Sequence, residues 1–307
     1  GLAALEPLRH LEGAKVLPAP DIGPMLAELQ IHGDKVELVR TLALRNADGA
    51  LLSGRAPLGD AFEPTFDIEG RPLPPDPAGA DTEGAAALRD GSFWIAEEYG
   101  PSLLKVDAQG VVRRRWSPAG RALTGAEPRL PAHAGDRVLN RGFEGLAVSP
   151  DERWLYVALQ SAPQGDDRGS APIWKLDAAT GAVALEASYP FDPPRSFTAD
   201  AAAGDVRHRD LKICELACVG EDRLLVLERI SRSARIYRVD LAERGPLAKT
   251  LVFSTDNLAG FAPDLEGMAL LSDSELILST DNDFGVEGAR THFYRLRFDA
   301  PLADPAG

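Results

Sequence analysis

Asp-Thr-Glu-Gly at positions 81–84 recurs along the chain as Gly-Phe-Glu-Gly (142–145), Ile-Cys-Glu-Leu (213–216) and Asp-Leu-Glu-Gly (264–267). Each motif is followed by a turn rich in Asp and Gly and then by a β-rich run, at 93–96, 155–158, 224–227 and 276–279. A third run follows at 104–107, 174–177, 237–240 and 294–297. Short strands, regular turns and a long repeat are typical of stacked β-units. The sequence therefore predicts an all-β fold, a β-propeller of about five or six blades.

The clear repeats run from 81 to 298, and the first blade is incomplete in the sequence. Residues 25–31 and 36–44 fit only its third and fourth strands. The proline-rich segment 72–77 lacks the amide donors of a central strand and predicts an exposed linker. We interpret residues 1–307 as a single β-propeller domain.

Two long segments have no sustained alternation of apolar and polar residues. Segments 118–140 and 190–210 are rich in Pro, Arg and Ala and predict long connections, where functional residues often lie. Residues 301–307 predict a loose tail.

Composition limits the classes of function. The 307 residues are 44% hydrophobic and 26% charged, which is ordinary for a globular chain with an apolar core. Asp and Glu number 47 against 33 Lys and Arg, a net charge of −14, which argues against a nucleic-acid partner and favours cations. No apolar run is long enough to predict a transmembrane segment, and we recognise no signal peptide in the chain as given. Nothing in the sequence indicates an oligomeric state.

The recurring acidic residue is the strongest candidate for a site. In a propeller the innermost strands run along the central channel, so equivalent residues converge, here Glu83, Glu144, Glu215 and Glu266. Carboxylates a few ångströms apart repel one another unless they are protonated, paired with a basic side chain or bound to a cation. Ca²⁺ suits such a set because it takes several oxygen ligands in flexible geometry. The alternative is that each Glu accepts hydrogen bonds from backbone amides of the next blade.

A second polar set ends the β-rich runs, and we predict its acidic members Glu98, Glu228 and Asp281 as further metal ligands; Gln160 is the fourth member. Around Asp281 the turn Thr-Asp-Asn-Asp-Phe-Gly (280–285) resembles a cation-binding loop. Three basic residues accompany the acidic motifs, and we predict that they bind an anionic substrate such as a phosphate ester: Arg141, Lys212 and Arg229.

Other catalytic signatures are absent from the sequence. It contains no Gly-x-Ser-x-Gly elbow and no His-Glu-x-x-His pair. We interpret Cys214 and Cys218 as buried thiols, because four residues of extended strand would hold them beyond disulfide reach. Hydrolysis would therefore rest on carboxylates and a metal-activated water, and no catalytic residue is assigned.

Several ordered motifs resemble the phytase-like family of bacterial β-propeller proteins, known for "esterase-like activity of phytase". They are Asp-Thr-Glu-Gly (81–84) with Ile-Ala-Glu-Glu-Tyr-Gly-Pro (95–101), Arg-Gly-Phe-Glu-Gly-Leu-Ala-Val-Ser-Pro-Asp (141–151), Leu-Leu-Val-Leu-Glu-Arg (224–229), and Asp-Leu-Glu-Gly-Met-Ala (264–269) with Ser-Thr-Asp-Asn-Asp-Phe (279–284). This resemblance implies a propeller, a periplasmic or extracellular setting, and a metal-dependent phosphoester hydrolase.

Three hypotheses follow. The first is an exported hydrolase of phosphate monoesters or related esters that uses Ca²⁺ held by the carboxylates. The second is a lactonase-like propeller in which one metal polarises a carbonyl group, which a neutral pocket would favour. The third is a non-catalytic propeller that binds a ligand or protein, with a structural Glu set.

Overall fold

The computed structural model describes residues 8, 11, 13–57, 63–121, 123–166, 169–242, 245–285 and 288–303. Over these residues the chain is almost entirely β, with one short helix, α1 (Thr198–Ala203). Its contacts divide it into two compact units, residues 1–135 with 139–142, and residues 136–138 with 143–307. None of the described helices is long and apolar enough to cross a lipid bilayer.

The first unit contains nine strands, namely β1 (Lys15–Val16), β2 (Met25–His32), β3 (Lys35–Ala43), β4 (Thr65–Phe66), β5 (Thr82–Ala87), β6 (Phe93–Glu97), β7 (Ser102–Val106), β8 (Val112–Pro118) and β9 (Glu127–Leu130). Strands β5 to β9 form one sheet in chain order, in which β9 runs parallel to β8. Strands β2 and β3 form a hairpin, and β1 pairs in parallel with β4. Apolar residues that include Leu44, Ile95 and Leu104 form the core.

The second unit contains three antiparallel sheets, each with its strands in chain order. The strands are β10 (Phe143–Val148), β11 (Trp154–Leu159), β12 (Ser170–Asp177), β13 (Val183–Pro190), β14 (Lys212–Gly220), β15 (Arg223–Arg229), β16 (Ala234–Asp240), β17 (Lys249–Ser254), β18 (Leu265–Ser272), β19 (Glu275–Thr280) and β20 (Phe293–Arg297). The first strands of successive sheets are neighbours, since β14 packs against both β10 and β18.

Strand β15 shows why these sheets stack face to face. Its residues Leu224 to Leu227 are all buried, and successive side chains of a strand point to opposite faces. Leu224 and Val226 join the core shared with the β10–β13 sheet, whereas Leu225 and Leu227 join the core shared with the β18–β20 sheet. A strand that is apolar on both faces can only lie between two other layers.

The predicted all-β propeller class is confirmed, with a smaller number of blades. The described residues form four sheets of three to five strands, whereas we predicted five or six blades. Residues 25–31 and 36–44 do form paired strands, β2 and β3, but no further strand joins their sheet within the described residues. Upstream of them, β1 pairs with β4 instead. The prediction of one domain stays a prediction.

The predicted connections contain more structure than expected. Segment 118–140 includes β9 and a 3₁₀ turn, and segment 190–210 includes α1, anchored by the fully buried ring of Phe197. In the tail, Leu302 is packed into the core, with its amide donating to the Asp273 carbonyl oxygen. Residues 304–307 of the predicted tail lie outside the described residues.

Candidate functional site

The first strand of each of the four sheets has a break in its pairing register where the acidic motif lies. The breaks fall in β5 between Thr82 and Ala85, in β10 between Phe143 and Leu146, in β14 between Ile213 and Glu215, and in β18 between Leu265 and Gly267. Such β-bulges are common beside functional sites, because they redirect a side chain out of the regular alternation. The side chains that follow the first residue of each break are Glu83, Glu144, Cys214 and Glu266.

Strand pairing corrects the predicted alignment of the third repeat by one residue. Ile213 pairs with Glu228, just as Leu265 pairs with Thr280 in the fourth repeat. Cys214, and not Glu215, therefore occupies the position of the recurring Glu. By the same register, Arg229 replaces Glu228 as the equivalent of the polar residues that end the other second strands, Glu98, Gln160 and Asp281.

In the first unit, three carboxylates form a group that we call the Asp81 cluster: Asp81, Glu83 and Glu98. One oxygen from each lies within 4.8 Å of the others. Lys15, delivered by β1, contacts Asp81, and its Nζ lies 2.8 Å from Glu98 Oε2 and 3.6 Å from Glu63 Oε2. The ammonium group of Lys15 thus supplies positive charge to the Asp81 cluster, and Lys15 precedes the clear repeats in the sequence.

Burial and charge shift the protonation of this cluster. Burial disfavours the carboxylate form and raises the pKa of Asp81 to about 6, although the ammonium of Lys15 opposes the rise. For Lys15, burial acts to lower the pKa, but the carboxylates of Asp81 and Glu98 outweigh it and hold the pKa well above its ordinary value. Asp81 therefore loses its proton at a higher pH than an ordinary aspartate does.

The turn after β6 is held by Glu97, a fully buried residue that sequence reasoning did not single out. Its carboxylate accepts hydrogen bonds from the Tyr99 amide at 2.8 Å and the Ser102 hydroxyl at 2.6 Å. Arg115 pairs with the same carboxylate at 3.1 Å. Because these bonds fix the backbone on both sides of Glu98, they fix the direction of its side chain toward the cluster.

Arg141 is placed beside this turn by its neighbour Gly142. A Cβ atom on Gly142 would overlap the carbonyl oxygen of Glu98, so the two backbones are in direct contact. Only glycine permits that approach. Arg141 therefore directly precedes a residue whose backbone contacts Glu98 of the Asp81 cluster.

In the second unit, a separate group, the Cys214 cluster, consists of Glu144, Cys214 and Glu266, with one ligand atom of each within 4.8 Å of the others. Arg229, only 1% exposed, donates from Nε to Cys214 Sγ at 3.1 Å and from Nη1 to Asp264 Oδ1 at 2.7 Å. Its Nη2 donates to Glu266. The guanidinium group is surrounded by the charges that it compensates.

The pKa shifts in the Cys214 cluster follow from burial. Burial raises the pKa of the Cys214 thiol and, against the opposing charge of Arg229, that of the Glu266 carboxyl. For Arg229, burial acts to lower the pKa, but contacts with Cys214 and Glu266 raise it above its ordinary value. Cys214 is therefore a neutral thiol and not a reactive thiolate.

The two clusters differ in how well they suit the predicted Ca²⁺. The Asp81 cluster offers only oxygen atoms, and Lys15 contacts two of its carboxylates as well as the nearby Glu63. Ca²⁺ prefers exactly this kind of hard, flexible donor set, so the residues fit. The Cys214 cluster includes a soft thiol and is already balanced by Arg229, so it does not fit Ca²⁺. Within the second unit, Glu144 and Glu266 lie together and Glu215 does not join them.

Glu215 and Glu228 lie outside both clusters. Glu215 Oε1 accepts hydrogen bonds from the amides of Leu146, on the neighbouring sheet, at 3.1 Å and of Leu216 at 2.9 Å. This is the structural alternative considered for the Glu set. Burial raises the pKa of Glu215 to about 8. Glu228, fully buried, accepts from the Tyr189 hydroxyl at 2.6 Å and from Lys249 Nζ at 2.7 Å, so its charge is balanced locally.

The remaining predicted residues have different surroundings. Asp281 is exposed and accepts hydrogen bonds from the amides of Asn282 at 2.6 Å and Asp283 at 3.2 Å, so it stabilises its own turn. Arg229 is buried and pairs with Asp264 and Glu266, and its predicted contact with a substrate stays a prediction. Lys212 opens β14 and is partly exposed, and its charge favours the ionised form of Glu266.

Sequence reasoning did not predict Asp81, Lys15, Glu63 or Cys214 as site residues. Aligning Lys-Ile-Cys-Glu (212–215) with Asp-Leu-Glu-Gly (264–267) would have placed Cys214 in the ring of acidic positions. Lys15 and Glu63 lie before the clear repeats, and no motif marks them.

Comparison with known proteins gives one family. The model of the phytase-like family, described as "Esterase-like activity of phytase", matches residues 17–284. An "Uncharacterized secreted protein" of Arthroderma benhamiae is 29% identical over 168 residues, a match that covers 43% of this chain and 32% of that protein. The chain thus spans about a third of the length of this curated relative.

Among solved structures, two similar chains cover most of this one. The PQQ-bound aldose sugar dehydrogenase of Streptomyces coelicolor is 12% identical, with a TM-score of 0.39, over 89% of this chain and 75% of that one. Virginiamycin B lyase of Staphylococcus aureus is 12% identical, with a TM-score of 0.34, over 91% and 86% respectively.

Proposed function

The chain belongs to the phytase-like family, and we propose that it is an exported hydrolase of phosphate esters or related esters that uses a divalent cation such as Ca²⁺. The observation that carries this proposal is the grouping of Asp81, Glu83 and Glu98 within 4.8 Å at the bulge of β5. The secreted relative supports an exported setting, and whether that is periplasmic or extracellular is part of the proposal.

Different residues of the first unit would bind the cation and the anionic substrate. Asp81, Glu83 and Glu98 would hold the cation, which when bound polarises a phosphoryl or carbonyl oxygen and lowers the pKa of a bound water. Lys15 and Arg141 supply positive charge for an anionic substrate. A pKa of about 6 leaves Asp81 mostly ionised at neutral pH, as a carboxylate ligand of a cation must be.

The test is a hydrolysis assay on p-nitrophenyl phosphate, p-nitrophenyl acetate and a lactone, each with CaCl₂ and with EDTA. We expect calcium-dependent turnover of the phosphate ester, and a fall in kcat/KM of about 100-fold or more in Asp81→Asn and Glu98→Gln. Glu37→Gln, an exposed carboxylate on β3 of the same unit, is the matched control and should leave the rate unchanged.

Each other outcome has a definite meaning. Turnover of the lactone alone would replace the substrate class with that of a lactonase. Loss of activity in Glu266→Gln, with Asp81→Asn active, would move the site to the Cys214 cluster. Absence of turnover on all three substrates, with and without CaCl₂, would contradict the enzymatic proposal and favour a binding protein.

A further inference from the structure

A cleft of about 760 Å³ opens in the second unit, lined by residues that belong to neither cluster. The hydrocarbon side chains of Leu258 and Phe261 form part of its wall, and Thr198, Ser231 and Asn257 add hydroxyl and amide groups. Among the described residues, the one charged side chain in the lining is Arg232. The lining therefore combines an apolar patch with several polar groups, which suits a small molecule that has an apolar part and a polar part.

The apolar wall is held in place by its packing. The ring of Phe261 lies 4.6 Å from the ring of Tyr294 and 5.6 Å from that of Phe253, measured between centroids. The Tyr294 hydroxyl in turn accepts a hydrogen bond from the Ala262 amide at 2.7 Å. The aromatic surface is therefore formed before any ligand binds, which lowers the entropic cost of binding.

The acidic side chains beside the cleft, Asp200 and Asp256, already have hydrogen-bond or ion-pair partners within the protein. Asp200 accepts three backbone amides, of Ser231, Arg232 and Ser233, at 2.8 to 3.1 Å. Asp256 pairs with Arg235 Nη2 at 2.7 Å and also accepts from Thr198. Neither carboxylate has an ion pair with Arg232, which is exposed and forms no ion pair with any other described residue. Its guanidinium is available to a ligand.

We propose that this cleft binds a small organic anion with an apolar body, such as an aromatic carboxylate, sulfonate or phosphate. The anionic group pairs with Arg232, and the apolar part lies on Phe261 and Leu258. A chain with a net charge of −14 repels anions in general, so binding of an anion here requires a local cation. The site is independent of the proposed hydrolase activity.

The test uses 8-anilinonaphthalene-1-sulfonate (ANS), an anion with an aromatic body, and follows its fluorescence on titration with the full chain. We expect one site per chain. Arg232→Gln should weaken binding about tenfold, the effect of losing one charged contact, while Arg232→Lys keeps most of the affinity. Arg209→Gln, an exposed arginine outside the cleft, is the control and should bind as the wild type does.

Two further measurements separate charge from apolar contact. The uncharged N-phenyl-1-naphthylamine should bind with equal affinity to the wild type and to Arg232→Gln, because it lacks the sulfonate. Ala199→Trp, which places a large ring in the cleft lining, should block both probes. Equal ANS affinity in Arg232→Gln and the wild type, or an equal loss in Arg209→Gln, would overturn the proposal.

Discussion

Glu215 shows how a partly buried carboxyl group can stabilise the fold when it is protonated and destabilise it when it is ionised. Its Oε1 accepts two backbone amides, yet burial still raises its pKa to about 8, far above the value of about 4.3 expected for an unfolded chain. The folded chain therefore binds this proton more tightly than the unfolded chain. The resulting stabilisation is fully present below about pH 4 and is lost as the pH rises toward 8.

We predict that Glu215→Gln removes this pH dependence, since the glutamine oxygen can still accept both amides and never ionises. Relative to the wild type, the variant should gain stability as the pH rises from 5 to 8, by about 2 kcal/mol at pH 8. Urea denaturation across this range measures the difference. Parallel stability curves for the two proteins would show that the Glu215 carboxyl is not perturbed.

At the scale of the strand, two glycines beside register breaks differ in what they touch: Gly142 directly precedes β10, and Gly267 lies in β18. Alanine at Gly142 would collide with the backbone of Glu98, which cannot move without the turn that holds the Asp81 cluster. Alanine at Gly267 would collide only with the Ser279 hydroxyl, its partner across β18 and β19, and a side chain can rotate away. The same substitution therefore has different consequences in the two strands.

We predict that Gly142→Ala costs about 3 kcal/mol or more of the free energy of unfolding, and Gly267→Ala about 1 kcal/mol. The cost at Gly267 should fall further when Ser279→Ala is present, because the obstructing oxygen is gone. Urea denaturation of the wild type, of Gly267→Ala, of Ser279→Ala and of the double variant completes a double-mutant cycle. The steric argument fails if Gly142→Ala is as stable as the wild type, or if Ser279→Ala leaves the cost at Gly267 unchanged.

The strands could be predicted from the sequence because alternation and turns carry their signal, but the bulges could not. A bulge shifts the alternation of inward and outward side chains by one residue at a place that no residue type marks, so Glu215 matched the repeat as well as its neighbour Cys214 did. The alignment was wrong by one residue in the third repeat for that reason, and the error carried over to Glu228 and Arg229. Only the pairing of β14 with β15 resolves it.

Pairing of the acidic groups with basic side chains was one of the expected arrangements, but the basic residues that provide it were not predicted. Arg229 was predicted to bind substrate, whereas it pairs with Glu266 and contacts Cys214. Removing one partner of such a buried pair is costly, so these contacts hold the cluster together. Lys15 lies more than sixty residues before Asp81 and Glu98 in the sequence, and no local pattern predicts a contact over that separation.

For the whole molecule, the net charge of −14 has two separable effects on stability. Self-repulsion among excess carboxylates destabilises the compact state and is screened by any salt. A specific cation site adds a second effect, because a ligand that binds only the folded chain stabilises it by mass action. The two effects differ in which ions produce them and in which residues they require.

We predict that NaCl raises the melting temperature of the wild type, and that CaCl₂ at matched ionic strength raises it further. A ligand at 100 times its Kd contributes about 2.7 kcal/mol. In the double variant Asp81→Asn, Glu98→Gln, the NaCl effect should persist and the additional CaCl₂ effect should vanish, while Glu37→Gln keeps both. Equal melting temperatures in the two salts would contradict a calcium site. An additional CaCl₂ effect that survives in the double variant would place the cation away from the Asp81 cluster, and the carboxylates held by Lys15 would then be structural.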